Sequence, residues 1–106
     1  MKNTQLLDFY RSMKMIRRFE EVACQALIDG KIPASLHTSI GQEAVAAGIC
    51  ASLQHSDLIV SNHRGHGHCI AKGCDVEAMM LEILGKEGGL CNGKGGSMHI
   101  ADLYKG

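Results

Sequence analysis

The sequence predicts an α/β protein of which these 106 residues are the N-terminal, mostly helical portion, incomplete as given. Three observations lead to this prediction. Apolar residues recur at steps of three and four in several segments, the spacing of amphipathic helices. Only one apolar run, residues 58–60, has the length of a short buried strand, which we expect to lie parallel in a sheet. One strand has no sheet to join within these residues, and the chain stops without closing an element.

Composition narrows the class of protein. Eleven basic and eleven acidic residues cancel, so no long-range field would attract nucleic acid or a membrane surface. Apolar residues make up 45% of the chain, enough for a core. The N-terminus lacks the pattern of a signal or transit peptide, and no segment approaches a membrane-spanning length. Five cysteines without a CxxC pair indicate free thiols, so we expect a cytoplasmic protein.

The first half of the chain predicts two helices. Apolar positions at three- and four-residue steps define a helix over residues 5–29, which Gly30 ends and Pro33 keeps from restarting. Ser39 followed three residues later by Gln42 fits a capping box, so a second helix is expected from near Ile40. This helix is rich in small residues, which would allow another backbone to come close.

The second half alternates short elements with glycine. The strand at 58–60 leads directly into a cluster of histidines that opens a third helix. Asp75 is a favourable N-cap and Gly85 a favourable stop for a fourth helix. Beyond it, residues 85–99 contain six glycines in fifteen positions, which predicts an ordered, functional loop.

The histidine cluster raises the possibility of a metal site. A zinc finger needs two Cys/His pairs separated by a dozen or so residues, whereas His63, His66, His68 and Cys69 are crowded together without a second pair. On a helix, His63 and His66 share a face while His68 points elsewhere. A metal-binding protein therefore remains an alternative, but not the favoured one.

The same cluster also fits an anion site. Arg64 presents a guanidinium that can fork onto phosphate oxygens, and Gly65 and Gly67 allow close backbone approach where a helix begins. A simple helix-capping role for these polar residues stays open on physical grounds alone.

Neither glycine motif fits a nucleotide-binding site, and the cysteines do not define a catalytic site. Residues 88–94 match GxxxxGK, but Gly95 stands where a nucleotide-binding P-loop needs Ser or Thr, and the segment follows a helix rather than a strand. The stretch GHGHCI has Ile70 where a dinucleotide-binding motif needs its third glycine. Nucleophilic Cys/His catalysis remains possible, although no spacing selects one of the five cysteines.

Three stretches together resemble one protein family. They are SLHTSIGQEAVAAGI at 35–49, SNHRGHGHCIAKG at 61–73 and LCNGKGGSMHIADL at 90–103. They resemble the alpha subunit of the thiamin-diphosphate-dependent first component of 2-oxo acid dehydrogenase complexes, in its pyruvate and acetoin dehydrogenase branch. The resemblance extends from MIRRFEE at 15–21 to the end. It implies that residues 1–106 are the N-terminal part of a single thiamin-diphosphate-binding domain.

The resemblance assigns roles to individual residues. His37 would line the substrate side of the active site and polarise or protonate the reacting oxygen. Arg64 would hold the diphosphate, and His63 would bind or wall off the cofactor. His66 matches a further active-site histidine that would handle protons. His63 stands where many pyruvate enzymes have tyrosine, which is nearer to the acetoin-type pattern. Four residues would shape the loop near the cofactor channel and the partner subunit: Gly95, Gly96, Ser97 and His99.

The resemblance also implies an activity and partners. The parent protein would decarboxylate pyruvate oxidatively or cleave acetoin, and pass the acyl unit to a lipoyl acyltransferase. A beta subunit would complete the active site in a heterotetramer. Magnesium would bind through a Gly-Asp-Gly motif and a downstream Asn that we expect beyond residue 106, so this fragment alone would be inactive. The alternatives are a non-catalytic helical binding or assembly fragment and the metal-binding protein; GKGGSMH argues against transketolase-like chemistry.

Overall fold

A computed structural model describes residues 1–106 and contains four α-helices and no β-strand. The helices are α1 (Asn3–Ile28), α2 (Glu43–Cys50), α3 (His66–Lys72) and α4 (Val76–Ile83). Helix α1 contacts each of the other three, and α2 also packs on α3. The prediction of a mostly helical segment is therefore confirmed. None of the helices combines the length and apolar character needed to cross a bilayer.

Residues 58–60 do not form the predicted strand. Ile59 donates one backbone hydrogen bond to the carbonyl of Gly106 at 2.8 Å. The side chains on either side point to solvent, since Leu58 is 82% and Val60 100% exposed. A strand is stabilised by a ladder of hydrogen bonds to a neighbouring strand. No second extended segment lies alongside within these residues, so a short apolar run alone does not make one.

Helix α1 follows its apolar periodicity. Ile16, Phe19 and Ala23 are buried at successive three- and four-residue steps, as predicted. Gly30 adopts a φ of +72° immediately after the helix, a conformation that glycine reaches without steric cost. The long helix therefore ends where the sequence predicts.

Helix α2 begins three residues later than the capping box predicts. Its first residue is Glu43, after an N-cap at Gln42 that makes no side-chain cap. Gly41 has a φ of +89°, which is incompatible with a right-handed helix. The Ser39 hydroxyl is bonded to Glu20 of α1 rather than to a helix amide. A tertiary contact thus replaces the local cap.

Helices α3 and α4 meet at a tight turn. Gly73 ends α3 with a φ of +101°, and the amide of Cys74 bonds back to the carbonyl of Cys69 at 2.9 Å. Asp75 then caps α4 by accepting a hydrogen bond from the amide of Ala78 at 2.9 Å. The predicted N-cap at Asp75 is confirmed.

The apolar core lies between α1 and α4. Its members are less than one tenth exposed to solvent and come from both helices and the turns beside them: Phe19, Ile32, Cys74, Met79 and Ile83. Leu36, from the segment after α1, and Cys69 and Ile70 of α3 pack against this core. The core therefore adjoins the segment that carries His37 and the helix that follows Arg64.

Candidate active site

His37, His63 and Arg64 come together on one wall. The rings of His37 and His63 meet edge to face, with centroids 4.9 Å apart and planes at 82°. The guanidinium of Arg64 donates to the carbonyl of Thr38 at 2.5 Å, while its amide donates to Oδ1 of Asn62 at 2.9 Å. Two segments far apart in sequence are thereby joined, and we call His37, Thr38, His63 and Arg64 the histidine–arginine wall.

Arg64 is free to meet an anion. The five ion pairs of the structure involve other residues, so no carboxylate neutralises its guanidinium. Its contact with Thr38 uses one of the five N–H donors that a guanidinium carries. A half-buried cation with unused donors in a fork favours diphosphate or carboxylate ligands.

His37 carries an unsatisfied group on the same wall. Its Nδ1 is buried and has no hydrogen-bond partner, and no other buried side-chain nitrogen or oxygen lacks one. An unmade hydrogen bond of this kind costs about 1–3 kcal/mol. The wall therefore contains a polar group that makes no hydrogen bond within these residues, and this group lies in the ring that packs edge to face on His63.

His66 lies behind the wall in a buried polar chain. Its Nδ1 lies 2.9 and 3.0 Å from the two carboxylate oxygens of Glu20, and its Nε2 lies 2.9 Å from the hydroxyl of Ser97. Because an ionised carboxylate only accepts hydrogen bonds, Nδ1 carries the proton. In the neutral ring, Nε2 then accepts from Ser97. Glu20 and His66 are completely buried.

The burial of His66 makes it difficult for this side chain to handle protons directly at the active site. Both ring nitrogens are engaged and the side chain is 0% exposed, so the ring reaches no surface of this chain. A direct part in proton handling stays a prediction. The contacts themselves are those of a residue that joins α1, α3 and the glycine-rich loop.

Glu20 was not identified from the sequence, although a signal was present. It falls between Ile16 and Ala23 on the buried stripe of α1, where a charged residue is unusual. Its Oε1 accepts from the amide and the hydroxyl of Ser39 at 3.4 and 3.2 Å, in addition to His66. A carboxylate at such a position indicates a buried polar network.

Glu82 is a second buried carboxylate, and the glycine-rich loop wraps around it. Its oxygens accept four backbone hydrogen bonds, from Cys91 at 3.0 Å, Gly93 at 2.6 Å, Gly95 at 2.7 Å and Gly96 at 3.2 Å. Burial raises the pKa of the Glu82 carboxyl, but the amide hydrogen bonds outweigh burial, so the pKa lies below its ordinary value. Glu82 lies on the buried face of α4 and was not predicted from the sequence.

The glycines of this loop are required by close approach. A Cβ on Gly95 would lie 2.5 Å from the carbonyl oxygen of His99, and one on Gly93 would lie 2.6 Å from the carbonyl carbon of Gly85. A Cβ atom essentially never lies this close to a non-bonded neighbour. The expected tight, ordered loop is therefore present, and Ser97, which follows Gly96, reaches His66.

The structure does not favour a metal site or a thiol nucleophile. No group of three or more His, Cys, Asp or Glu side chains is arranged to hold a metal ion. The clustered histidines diverge, since Nδ1 of His68 bonds the hydroxyl of Ser61 while His66 turns inward. Burial raises the pKa of Cys24 and of Cys50, which disfavours the nucleophilic thiolate. The hydrogen bond with Cys69 lowers the pKa of Cys74, but this thiol is buried in the apolar core.

Comparison with known proteins identifies the family. The family model described as the dehydrogenase E1 component matches residues 11–106, so the chain belongs to that family. The chain is 58% identical over 100 residues to the alpha subunit of acetoin:2,6-dichlorophenolindophenol oxidoreductase from Bacillus subtilis (strain 168), covering 94% of this chain and 30% of that protein. It is 48% identical over 97 residues to the alpha subunit of the pyruvate dehydrogenase E1 component from Zymomonas mobilis, covering 91% and 27%.

A second acetoin:2,6-dichlorophenolindophenol oxidoreductase alpha subunit, from Cupriavidus necator, is also 58% identical, over 101 residues that cover 95% of this chain and 30% of that protein. The chain thus spans about 30% of the length of these relatives. The resemblance inferred from the three motifs is confirmed at the level of the family.

Proposed function

We propose that this chain is part of the alpha subunit of a thiamin-diphosphate-dependent dehydrogenase that cleaves acetoin or decarboxylates pyruvate oxidatively. The observation that carries the proposal is the Arg64 guanidinium, which has no carboxylate partner and lies on one wall with the unsatisfied Nδ1 of His37. Acetoin is favoured because the acetoin relatives share 58% identity and the pyruvate relative 48%. His63, which stands where many pyruvate enzymes have tyrosine, also favours acetoin as the substrate.

The wall fits the cofactor by its donor set. Thiamin diphosphate, when bound, supplies the carbanion chemistry that cleavage of a bond beside a carbonyl requires. Arg64 holds the diphosphate through its unused donors, and His63 bounds the cofactor on the adjacent side. Thr38 fixes the guanidinium by accepting one of its hydrogen bonds, so the charge is already oriented before the ligand arrives.

His37 and His66 are the proposed catalytic histidines: His37 lies on the wall, and His66 is buried behind it. His37 is half-buried and lies on the wall beside His63, where the exposed part of its ring can donate a hydrogen bond or a proton to the reacting oxygen of the substrate. His66 acts from behind the wall, where Glu20 fixes its tautomer. Its part in proton handling is the less supported of the two, because the ring is enclosed.

The remaining parts of the proposal concern the longer protein. A beta subunit completes the active site in a heterotetramer, and a lipoyl acyltransferase receives the acyl unit. The names of the relatives support a partner subunit, since each relative is named as a subunit alpha. Magnesium binds the diphosphate through residues outside these 106. The expected cytoplasmic location belongs to the same proposal.

The test uses the full-length alpha subunit together with its beta subunit. Activity is measured with acetoin and with pyruvate, using an artificial electron acceptor, as thiamin diphosphate is titrated at fixed magnesium. Arg64→Ala is expected to raise the half-saturating cofactor concentration at least about tenfold, because a charge-assisted hydrogen bond contributes about 1.5–3 kcal/mol. Arg18→Ala, an exposed arginine on α1, serves as the control and leaves it unchanged. An enzyme that needs no thiamin diphosphate would disprove the proposal.

A further inference from the structure

Glu20 is connected to both segments that hold Arg64, although it touches neither the guanidinium nor the wall. We propose that Glu20 is a positioning residue for the diphosphate-binding arginine, and this inference rests on the proposed function. Its carboxylate fixes the segment that the guanidinium grips and also the start of α3, the helix that follows Arg64 by two residues. Without that charge, the two segments can shift relative to each other, and the arginine loses its orientation.

The first connection runs through Ser39. The amide and hydroxyl of Ser39 both donate to Oε1 of Glu20, at 3.4 and 3.2 Å. The preceding residue, Thr38, supplies the carbonyl that accepts from the Arg64 guanidinium at 2.5 Å. The position of this carbonyl is therefore set, one peptide away, by the carboxylate of Glu20.

The second connection runs through His66. This residue follows Arg64 by two positions and begins α3, and its ring is held against both oxygens of Glu20 at 2.9 and 3.0 Å. The two connected segments also touch directly. A Cβ on Gly67 would lie 2.8 Å from the hydroxyl of Ser39 and 3.3 Å from the side chain of Ile16. The start of α3 thus packs on Ser39 and α1 without spare room.

The negative charge matters because every group that meets Glu20 is a donor. An ionised carboxylate accepts from all of them, whereas glutamine has one accepting oxygen and one donating nitrogen. Oε1 already accepts from Ser39 and His66, whereas Oε2 faces only Nδ1 of His66 at 3.0 Å. In Glu20→Gln, either the amide nitrogen replaces Oε2 and its N–H groups face the Nδ1 proton, or it replaces Oε1 and faces the donors of Ser39. The first conflict is relieved only if His66 changes its tautomer and Ser97 follows. Either conflict loosens one of the two connections to Arg64. The shape of the side chain is unchanged, so the substitution isolates the charge.

The experiment compares Glu20→Gln with Glu43→Gln in the full-length alpha–beta protein. Glu43 is the matched control because it is also buried and also links α1 to a later segment, by pairing with Arg17 and accepting from the amide of Gly41. Binding of thiamin diphosphate with magnesium is measured by calorimetry. Thermal unfolding is measured on the same samples, so that a change in stability is separated from a change in affinity.

Glu20→Gln is expected to raise the dissociation constant for thiamin diphosphate about tenfold, because the guanidinium that grips the diphosphate is no longer held in place. Glu43→Gln is expected to lower the melting temperature comparably and to change the dissociation constant less than twofold. A purely structural role for Glu20 predicts the same behaviour for both variants: fewer active molecules, with unchanged affinity. Equal affinities for Glu20→Gln and Glu43→Gln therefore overturn the inference.

A milder variant covers the case in which Glu20→Gln does not fold. Ser39→Ala keeps the charge and removes only the hydroxyl hydrogen bond to Glu20. It is expected to weaken cofactor binding about threefold, and unchanged binding contradicts the inference. Wild-type protein that fails to bind thiamin diphosphate overturns the proposed function together with this inference. Wild-type protein that binds, with variants that bind equally well, overturns the role of Glu20 alone.

Discussion

Replacing Glu82 with glutamine is expected to loosen the glycine-rich loop more than any exposed substitution nearby. The carboxylate is completely buried, and its four hydrogen bonds all come from backbone amides of the loop. Glutamine has nearly the same shape, but one of its two terminal atoms is a donor. The perturbation therefore removes acceptors without opening a cavity.

The magnitude follows from how the amides are shared. Oε2 accepts from Cys91 and Gly93, and Oε1 accepts from Gly95 and Gly96. Whichever oxygen becomes the amide nitrogen, two backbone N–H groups face a donor. A buried donor without an acceptor costs about 1–3 kcal/mol, so the loop is destabilised by about 2–6 kcal/mol.

Amide hydrogen exchange measures this cost directly. At about 1.4 kcal/mol per factor of ten, exchange of the loop amides should accelerate from about 30-fold to about 10⁴-fold in Glu82→Gln. The full-length alpha–beta protein is labelled, and exchange is read from the proteolytic peptide that covers residues 90–97. Glu77→Gln, an exposed position on the same helix, is the control. Exchange that changes less than threefold in Glu82→Gln would show that the carboxylate does not organise the loop.

Two further predictions concern the same loop. The amide hydrogen bonds hold the pKa of Glu82 below its ordinary value despite burial, so the stability they confer is present above the unfolded pKa and is lost as pH falls through the folded one. The protection of the loop amides against hydrogen exchange, corrected for the intrinsic pH dependence of exchange, should therefore stay constant from about pH 7 to about pH 5. It should decline only below the ordinary pKa of glutamate, about 4.3. A decline that begins near pH 6 would show that another group is responsible. Gly95→Ala should lower stability by about 1–3 kcal/mol, seen as a lower melting temperature, because its Cβ meets the carbonyl oxygen of His99 at 2.5 Å. Lys94→Ala, at an exposed position next to it, should change the melting temperature little, and equal effects of the two would refute the steric argument.

The elements that the sequence predicts well are those set by local chemistry. The apolar stripe and Gly30 define α1, and Asp75 caps α4, because these signals act within one or two helical turns. The strand at 58–60 was predicted from an apolar run alone. Strand formation depends on a neighbouring strand, which local sequence does not reveal. The early start of α2 was wrong for a similar reason, because Ser39 is bonded to a distant helix.

The site shows the same division. His63 and Arg64 were identified from a compact motif, and His37 from the resemblance that motif carries, and the structure brings all three together. Glu20 and Glu82 were missed because their partners lie far along the chain or are backbone amides, which have no sequence signature. In both cases, a carboxylate on the buried stripe of a helix was the available signal.

The most direct test of the central claim is a structure of the full-length alpha–beta protein with thiamin diphosphate and magnesium bound. We expect the Arg64 guanidinium to donate to a diphosphate oxygen while keeping its contact with the carbonyl of Thr38. A bound cofactor with the Arg64 side chain turned to solvent would contradict it.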